Sequence, residues 1–310
     1  RLRIRHAGDR LIHEENGGIL RQQHADLQPL LLPVREQARF GAEHILEADF
    51  FGHGLHAFAH LGRAGKGQRA KHAAPAQVGG DGLRGLARAR ERGWTITHIL
   101  NTHEHRDHTG GNEGLRAATG ARLLAHAGAG AHIAGIDRGL HEGDVIRLGR
   151  SVELQCLDTP GHTRAHLCLL AHGDVPALIC GDTLFNAGAG NCHNGGNPEL
   201  LFETFTRRFG ALPDATVVHP GHDYLARNLA FTLDREPDNT AAQALLASLG
   251  TSDGATAPET TLGLERRINT FFRLREPQII ERLRAAFPTL PPQPDAKSVF
   301  LHLRELRNRW

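Results

Sequence analysis

Residues 102–111 read THEHRDHTGG, a stretch that places three histidines and one aspartate within six consecutive positions. His103 and His105 are two positions apart, so in an extended segment both imidazoles project to one side and can bind one divalent ion. Asp107 and His108 follow after a turn, where they can face a second ion. The spacing therefore predicts a site for two metal ions.

The residues around this stretch favour a metal site over the alternative, a solvated loop in a chain that contains 22 histidines. Two glycines at the end of the stretch give the backbone conformational freedom. Asn112 can then cap a helix, and the sequence predicts that helix over residues 113–119. Glu104 and Arg106 lie between the metal-binding side chains and should point the other way.

Three strand-like runs farther along the chain each end, beside a glycine, in a side chain that can bind a metal. The runs are 151–157, 176–180 and 215–218, and the side chains that follow them are His162, Asp182 and His222. Strand ends are where α/β folds place their chemistry. Each of these ends could be a capped turn if taken alone, but together they predict the further ligands that a two-metal site needs.

These motifs resemble the metallo-β-lactamase superfamily and, within it, the glyoxalase II (hydroxyacylglutathione hydrolase) group. The similarity runs from about Leu83 to the C-terminus and rests on the segments 102–112, 159–163, 181–185 and 221–224, together with a helical tail. The resemblance implies an α/β fold, an αββα sandwich built from two similar halves and followed by a C-terminal helical domain.

The resemblance also implies the ligands of each metal. They are His103, His105 and His162 for one ion, Asp107, His108 and His222 for the other, and Asp182 as the bridge between the two. Zn is the expected metal, with Fe or Mn as alternatives. Ions that share Asp182 would share a water of lowered pKa, which Asp107 orients and which attacks a thioester carbonyl as hydroxide.

Five further residues are expected to bind the substrate. By resemblance, Tyr224 matches a tyrosine that contacts glutathione, and Arg304 and Arg307 match a basic pair that can bind a carboxylate. The alternative for the two arginines is a solvated helix face. Asn191 stands where the family has a cation, and His193 stands near the position of its aromatic residue. The expected reaction is therefore hydrolysis of a thioester or a related ester, with S-2-hydroxyacylglutathione as the family substrate.

Length and charge agree with an enzyme that acts on a small molecule. A chain of 310 residues can form one domain with a helical appendage, and a net charge of +2 with a pI near 8.5 favours no nucleic-acid partner. The apolar run at 27–34 is far shorter than the roughly 18 residues of a membrane span, so no membrane association is expected.

The cysteines favour a reduced, cytoplasmic protein. The first three of the four, at positions 156, 168 and 180, fall in apolar strand-like runs, where a free cysteine behaves as a small hydrophobe. Cys192 lies in a glycine-rich loop near the predicted site. The chain starts at Arg1 and contains no methionine, so we expect the natural start to be missing. The presence of a signal peptide is therefore left open.

The N-terminal segment 1–82 does not have the alternating strands that should open the first half of the sandwich. It is rich in His, Arg, Gln, Gly and Ala, and we interpret it as a degenerate first half-sheet or as the product of a shifted reading frame. The segments 50–54 and 62–67 read as loops. The expected division is this segment, a metal-binding domain at 83–224 and a helical substrate-binding domain at 225–310.

Three other functions are weighed against the hydrolase. A persulfide dioxygenase shares the ligand motifs but uses one iron and O2, and the long helical tail argues against it. An inactive metal-binding remnant would follow if the first half-sheet is missing. A nuclease is disfavoured because the near-neutral chain has no basic stripe.

Overall fold

The structure is a computed structural model that describes residues 3–5, 56–60, 80–148, 152–249 and 258–310. Most of the segment 1–82 lies outside the described residues, as do the expected loops at 50–54 and 62–67. Two short strands from that segment are described, and each pairs with a strand from the later part of the chain. The division into three domains stays a prediction.

The described strands form two sheets and a small hairpin. They are β1 (Arg3–Arg5), β2 (His56–His60), β3 (Thr95–Leu100), β4 (Arg122–His126), β5 (Arg138–Leu140), β6 (Val145–Leu148), β7 (Val152–Asp158), β8 (Leu167–Ala171), β9 (Ala177–Gly181), β10 (Leu184–Phe185), β11 (Gly188–Ala189), β12 (Val217–Pro220) and β13 (Thr260–Thr261). Within the described residues, the smaller sheet has the order β2-β3-β4-β5 and the larger sheet the order β1-β6-β7-β8-β9-β12-β13, while β10 pairs with β11.

The described helices flank the sheets and dominate the C-terminal third. They are α1 (Gly80–Glu91), α2 (Arg106–Thr109), α3 (Asn112–Thr119), α4 (Pro198–Glu203), α5 (Leu225–Arg235), α6 (Thr240–Leu249), α7 (Leu262–Ile268), α8 (Pro277–Ala286) and α9 (Ala296–Asn308). A π-helical turn at Thr204–Arg208 continues α4.

Side-chain caps explain where several of these helices begin. The Asn197 side chain accepts the N–H groups of Glu199 and Leu200 ahead of α4, and the Asp295 carboxylate accepts the N–H of Ser298 ahead of α9. Asn112 does not act as the cap that the sequence suggests. Its side chain instead exchanges two hydrogen bonds with the buried side chain of Asn101, which fixes α3 to the end of β3.

Strand β8 shows why the sheets are stacked. All five of its residues are buried, as expected for a strand covered on both faces. Leu167 and Leu169 point into a core that lies between the two sheets and includes Leu124 of the smaller sheet. Cys168 and Leu170 point to the other side, where Phe300 of α9 packs.

The outer face of the smaller sheet is covered in turn by α1 and α3. Leu86 of α1 and Leu115 of α3 share an apolar cluster with Ile99 and Leu123 of β3 and β4. The order of layers is therefore helix, sheet, sheet, helix. The predicted αββα sandwich with a C-terminal helical part is confirmed.

Two differences between the expected and the observed elements concern short helices. The segment 106–109, where the sequence interpretation places a turn, forms one turn of α-helix, and α7 at Leu262–Ile268 has no counterpart in that interpretation. Both elements are short, and periodicity over four or seven residues carries little signal. Within the described part of the chain, none of the helices is long and apolar enough to cross a membrane.

The three cysteines of the apolar strands are buried and free, as the sequence predicts. Burial raises the pKa of the Cys156 and Cys168 thiols to about 12. Cys192 is half-buried, and burial raises its pKa to about 11. These thiols therefore stay protonated and act as small apolar side chains.

Candidate metal centre

Four strand ends bring the predicted ligands together at one edge of the sandwich. The stretch that contains His103 follows β3, and His162 lies in the turn between β7 and β8. Asp182 and His222 follow β9 and β12, which are parallel neighbours, so their carboxyl ends meet. The N–H of Gly221 donates to the carbonyl oxygen of Gly181 at 2.8 Å and fixes the two ends side by side.

The first group of ligands is made of three histidine rings. The Nε2 atom of His103 lies 3.1 Å from Nδ1 of His105, which lies 2.9 Å from Nε2 of His162. Ligand atoms bound tetrahedrally at a Zn–N distance of about 2.05 Å would be about 3.3 Å apart. Both distances are close to the spacing of ligands around one ion, and the ligand atoms of all three residues lie within 4.8 Å of one another.

Backbone carbonyls determine which nitrogen of each ring carries the proton. Nδ1 of His162 donates to the carbonyl oxygen of Asn191 at 2.7 Å, and Nε2 of His105 donates to that of Asn194 at 3.1 Å. With both rings neutral, Nε2 of His162 and Nδ1 of His105 are bare lone pairs that face each other at 2.9 Å. Two lone pairs at this distance repel unless a cation lies between them, so the donor set fits a divalent ion.

The second group contains Asp107, His108 and His222. The Nε2 atoms of His108 and His222 are 3.2 Å apart, and Oδ2 of Asp107 lies 3.1 Å from Nε2 of His222. Asp182 lies between the two groups: Oδ1 is 3.2 Å from Nε2 of His108, and Oδ2 is 3.5 Å from Nε2 of both His162 and His222. This position suits a carboxylate that bridges two ions.

The charge states of these side chains are set by burial and by one another. Burial lowers the pKa of His103 well below its ordinary value, and the neighbouring His108 ring lowers it further. For Asp182, burial favours the neutral acid, but the adjacent His108 and His222 rings outweigh it and hold the pKa well below its ordinary value. The pKa of His222 is raised, mainly by its contact with Asp182. Burial thus favours a neutral His103, and the adjacent rings favour an ionised Asp182, which are the charge states that metal binding requires of these two side chains.

Glycines allow the backbone to pass close to the ligands. A Cβ atom on Gly221 would lie 2.4 Å from Oδ1 of Asp182, and one on Gly190 would lie 1.9 Å from the Asp182 carbonyl oxygen. Gly181 has φ = 48°, a left-handed conformation that favours glycine. The glycines beside Asp182 and His222 are therefore steric requirements of the site.

His166 is fully buried behind the first group. Its Nε2 accepts the N–H of Asp182 at 3.3 Å, so the proton lies on Nδ1. Nδ1 is within hydrogen-bonding distance of the hydroxyls of Thr159 and Thr183, at 2.9 and 3.0 Å. Burial lowers the pKa of His166 well below its ordinary value, which keeps this ring neutral.

A cavity of about 310 Å³ opens over the ligands. Tyr224 stands at its rim, 45% exposed, with its ring stacked on that of His222 at 5.5 Å between centroids. Asn191 also lines the cavity. His193 is exposed and does not line the cavity, and its N–H donates to the Asn191 side chain at 3.2 Å. A larger depression of about 630 Å³ beside α3 contains none of the predicted ligands.

The two C-terminal arginines occupy different environments. Arg304 is 5% exposed, and its Nη1 donates to the carbonyl oxygens of Ala189 and Gly190. Arg307 is half-buried, and its Nη2 donates to the side chain of Asn228 at 3.2 Å. Neither arginine lines the cavity. Their predicted contact with substrate stays a prediction.

Several residues of the site are not found by sequence reasoning. The carbonyl groups of Asn191 and Asn194 fix the histidine tautomers, and a backbone carbonyl has no signature in the sequence. Phe185 lines the cavity, and the centroid of its ring lies 5.1 Å from that of Tyr224. Arg106 was expected to point away from the site but lines the cavity, because residues 106–109 are helical and not extended.

Comparisons with known proteins find similar sequences over most of the chain. A model of the metallo-beta-lactamase superfamily matches residues 64–240, and a model of the hydroxyacylglutathione hydrolase C-terminus matches residues 223–310. The hydroxyacylglutathione hydrolases of Polaromonas sp. and Nitrosococcus oceani are 60% and 59% identical over 225 residues, which are 73% of this chain and 86% of each relative. Among solved structures, ETHE1 from Myxococcus xanthus is 27% identical, with a TM-score of 0.47 over 72% of this chain and 83% of that one.

The chain belongs to the metallo-beta-lactamase superfamily, because the superfamily model matches more than half of its length. Within that superfamily it is a glyoxalase II-like protein, since its C-terminal residues match the hydroxyacylglutathione hydrolase C-terminus and its curated relatives carry that name. The resemblance drawn from residues 102–112 is thereby confirmed. The assignment of individual ligands stays a prediction.

Proposed function

We propose that this protein hydrolyses thioesters in the manner of glyoxalase II, converting an S-2-hydroxyacylglutathione and water into a 2-hydroxy acid and glutathione. The observation that carries the proposal is the pair of bare nitrogens on His105 and His162, 2.9 Å apart, with Asp182 between the two ligand groups. Hydroxyacylglutathione hydrolases at about 60% identity support the same reaction class.

The ligands in this proposal are seven. One divalent ion would be held by His103, His105 and His162, and the other by Asp107, His108 and His222. Asp182 would bind both ions. Imidazole and carboxylate donors favour Zn, and Fe and Mn are the alternatives. When bound, the ions supply a water nucleophile at neutral pH and positive charge that polarises the thioester carbonyl.

Asp107 orients the attacking water in this proposal. Its side chain is 56% exposed at the cavity, with Oδ2 held 3.1 Å from Nε2 of His222. The carboxylate accepts one hydrogen bond from the water, which turns a water lone pair towards the carbonyl carbon. The water oxygen then bonds to that carbon, the C–S bond breaks, and its electron pair leaves with the sulfur. One proton of the water goes to the solvent, and the other protonates the released thiolate. A thiolate is a good leaving group, so no acid on the protein is required.

Tyr224 and Arg106 bind the thiol carrier in this proposal. Burial raises the pKa of Tyr224, so its hydroxyl stays protonated and can donate to the peptide portion of the carrier. Glutathione carries two carboxylates, and Arg106 lines the cavity as an exposed cation, whereas Asn191 offers none. Arg106 can therefore supply the charge that the family pattern would place at Asn191.

The test is metal analysis of the purified protein, combined with a thioester panel that includes S-lactoylglutathione. We expect two divalent ions per chain and release of free thiol from a glutathione thioester. One iron per chain with oxygen uptake on glutathione persulfide would replace the hydrolase by the dioxygenase. A metal-loaded, folded protein that cleaves no thioester would establish the inactive alternative.

A further inference from the structure

Glu265 of α7 is a fully buried carboxyl group that lies against the turn at residues 186–190. Its Oε2 accepts the N–H of Ala187 and the side-chain amide of Asn269, both at 2.9 Å. Its Oε1 accepts the hydroxyl of Thr260 at 2.7 Å. All three donors are uncharged, and burial of a carboxyl group without a cation is unfavourable. An apolar side chain would fill this space without that penalty, so the contact with the turn is what distinguishes the acid.

The turn needs such an acceptor because its backbone is strained at Ala187. Among the non-glycine residues that the structure describes, Ala187 alone has a positive φ, of 55°. This left-handed conformation is unfavourable for a residue with a Cβ atom and persists where surrounding contacts enforce it. Ala187 is 1% exposed, so water cannot replace Glu265 as the acceptor of its N–H. Glu265 therefore stabilises the backbone conformation that the turn requires.

Two further contacts connect the neighbouring residues of the turn to the same carboxyl group. Asn269, which donates to it, also donates to the carbonyl oxygen of Gly188 at 3.0 Å. The side chain of Asn186 donates to the hydroxyl oxygen of Thr260 at 2.7 Å, and that hydroxyl donates to the carboxyl group. Because β10 and β11 have only two residues each, these contacts determine the position of the turn.

Both ends of the turn reach the candidate metal centre. Phe185, directly before the turn, lines the cavity. At the other end, a Cβ atom on Gly190 would be 1.9 Å from the Asp182 carbonyl oxygen and 3.1 Å from Nδ1 of His162, so the backbone passes in close contact with both. The next residue is Asn191, whose carbonyl oxygen accepts Nδ1–H of His162 at 2.7 Å. A shift of the turn therefore moves the acceptor that directs the lone pair on Nε2 of His162.

We propose that Glu265 is a positioning residue for the metal site. Its carboxyl group holds Ala187 in the left-handed conformation. The turn then keeps the Asn191 carbonyl on Nδ1 of His162 and the Nε2 lone pair of that ring facing His105. The inference rests on the proposed function only for the role of His162 as a ligand. It gives α7 a part in metal binding, although none of the residues of this helix lines the cavity.

The test compares the metal affinity of three Glu265 variants, measured by competition with a chelator and without substrate. Glu265→Leu offers no acceptor to Ala187, so we expect a loss of about tenfold in metal affinity, the low end of the range typical when a group supporting a ligand is removed. Glu265→Asp keeps the charge but draws the carboxylate back by one methylene group, and it should lose affinity as well.

Glu265→Gln is the conservative variant that should recover the wild-type affinity. Its carbonyl oxygen can accept the N–H groups of Ala187 and Asn269, and its amide can donate to the hydroxyl oxygen of Thr260. The position of the acceptor is thus kept, whereas the charge is lost. A role that depends on the charge would give the opposite order, with the Asp variant active in metal binding and the Gln variant impaired.

Two controls separate positioning from a general loss of stability. Leu283→Ala truncates a fully buried side chain of α8 and should lower the free energy of unfolding without changing metal affinity. Glu281→Leu makes the same substitution as the first variant at an exposed position of that helix and should leave both quantities near their wild-type values. Circular dichroism and denaturant unfolding establish that each variant is folded during the metal measurement.

Wild-type metal affinity in folded Glu265→Leu would overturn the inference. A loss in Glu265→Gln or in Leu283→Ala as large as that in Glu265→Leu would overturn it too. Should Glu265→Leu not fold, the other two Glu265 variants decide: the inference requires a loss of affinity in the Asp variant and none in the Gln variant, and any other result overturns it.

The chelator measurement needs no turnover, so it stands apart from the proposed reaction. If the wild type cleaves no thioester but Glu265→Leu loses metal affinity, the proposed function fails and the positioning role holds. If the wild type is active and Glu265→Leu loses no metal affinity, the positioning role fails alone.

Discussion

The imidazole of His166 lies nearly parallel to that of His103, with ring centroids 5.1 Å apart and planes at 23°. The same His166 ring accepts the backbone N–H of Asp182 through Nε2 at 3.3 Å. One buried side chain thus supports a ligand from each of two strand ends, on opposite sheets of the sandwich.

His166→Phe should keep the ring packing and lose the acceptor for the Asp182 N–H. A buried N–H without a partner costs about 1–3 kcal/mol, so we expect the free energy of unfolding of the apo-protein to fall by that amount. Metal affinity should fall as well. Chemical denaturation and chelator competition measure the two effects, with the exposed His172→Phe as the control. An unchanged metal affinity would show that His166 only fills the core.

Asp182→Ala should remove the carboxylate that lies against both ligand groups. We expect the bound metal to drop from two ions per chain to one or none, because the second group would retain only Asp107, His108 and His222 around a partly exposed site. Elemental analysis after dialysis measures this stoichiometry. Asp174→Ala, at an exposed loop, is the matched control. Two tightly bound ions in Asp182→Ala would rule out the bridging role.

Gly190→Ala tests how closely the backbone must approach Asp182. The new Cβ would lie 1.9 Å from the Asp182 carbonyl oxygen, so the backbone has to shift. Overpacking of this kind costs about 1–3 kcal/mol, which denaturant unfolding can measure, and metal affinity should fall with it. Gly130→Ala, where a Cβ meets nothing within 4 Å, should have a small effect. Equal stabilities of the two variants would refute the steric argument.

Glu265→Gln should change how stability depends on pH. Burial raises the pKa of Glu265 from 4.5 to about 7, and its neighbours Thr260, Asn269 and the Ala187 N–H are uncharged. Between these two pH values the folded state keeps the proton that the unfolded state has lost. The contribution of Glu265 to the free energy of unfolding therefore falls as pH rises, by at most about 1.4 kcal/mol per pH unit.

Below pH 4.5 and above pH 7 this contribution is constant. The glutamine variant cannot titrate, so the difference in unfolding free energy between it and the wild type should change only within that window. Urea denaturation at a series of pH values gives this difference. Parallel pH profiles for the two proteins would mean that Glu265 is ionised throughout.

Arg106→Gln should weaken the binding of anionic thioesters. Arg106 lines the cavity as an exposed cation, so its loss should raise KM for a glutathione thioester several-fold and leave kcat and the metal content unchanged. Arg122→Gln, at the far end of β4, is the control. The KM for a thioester without carboxylates should not respond. A similar rise in KM for both substrates would argue against charge recognition.

The parts of the fold that sequence reasoning predicted are those where residue type alone decides the structure. The apolar run around Cys168 reads as a strand and forms β8, and the motif around His103 combines ligand types at a spacing that predicts a metal site. Asp182 was singled out because it lies just after the apolar run 176–180, and His222 because the segment 221–224 resembles the family motif.

The parts that were missed depend on contacts that no local pattern encodes. The carbonyl groups of Asn191 and Asn194 act through the backbone, so their side chains give no indication of the role. Arg106 was assigned to the wrong face because one helical turn replaced an extended segment. The burial of Arg304 depends on the docking of α9 against a turn that lies far away in the sequence.

The distance along the chain between Arg304 and Ala189, 115 positions, has a consequence for biosynthesis. All the predicted ligands have been synthesised once residue 222 is added, but the carbonyl groups of Ala189 and Gly190 receive this donor only when α9 has left the ribosome and docked. In the order of synthesis, the turn beside the predicted ligands therefore lacks its contacts with Arg304 until α9 has been made.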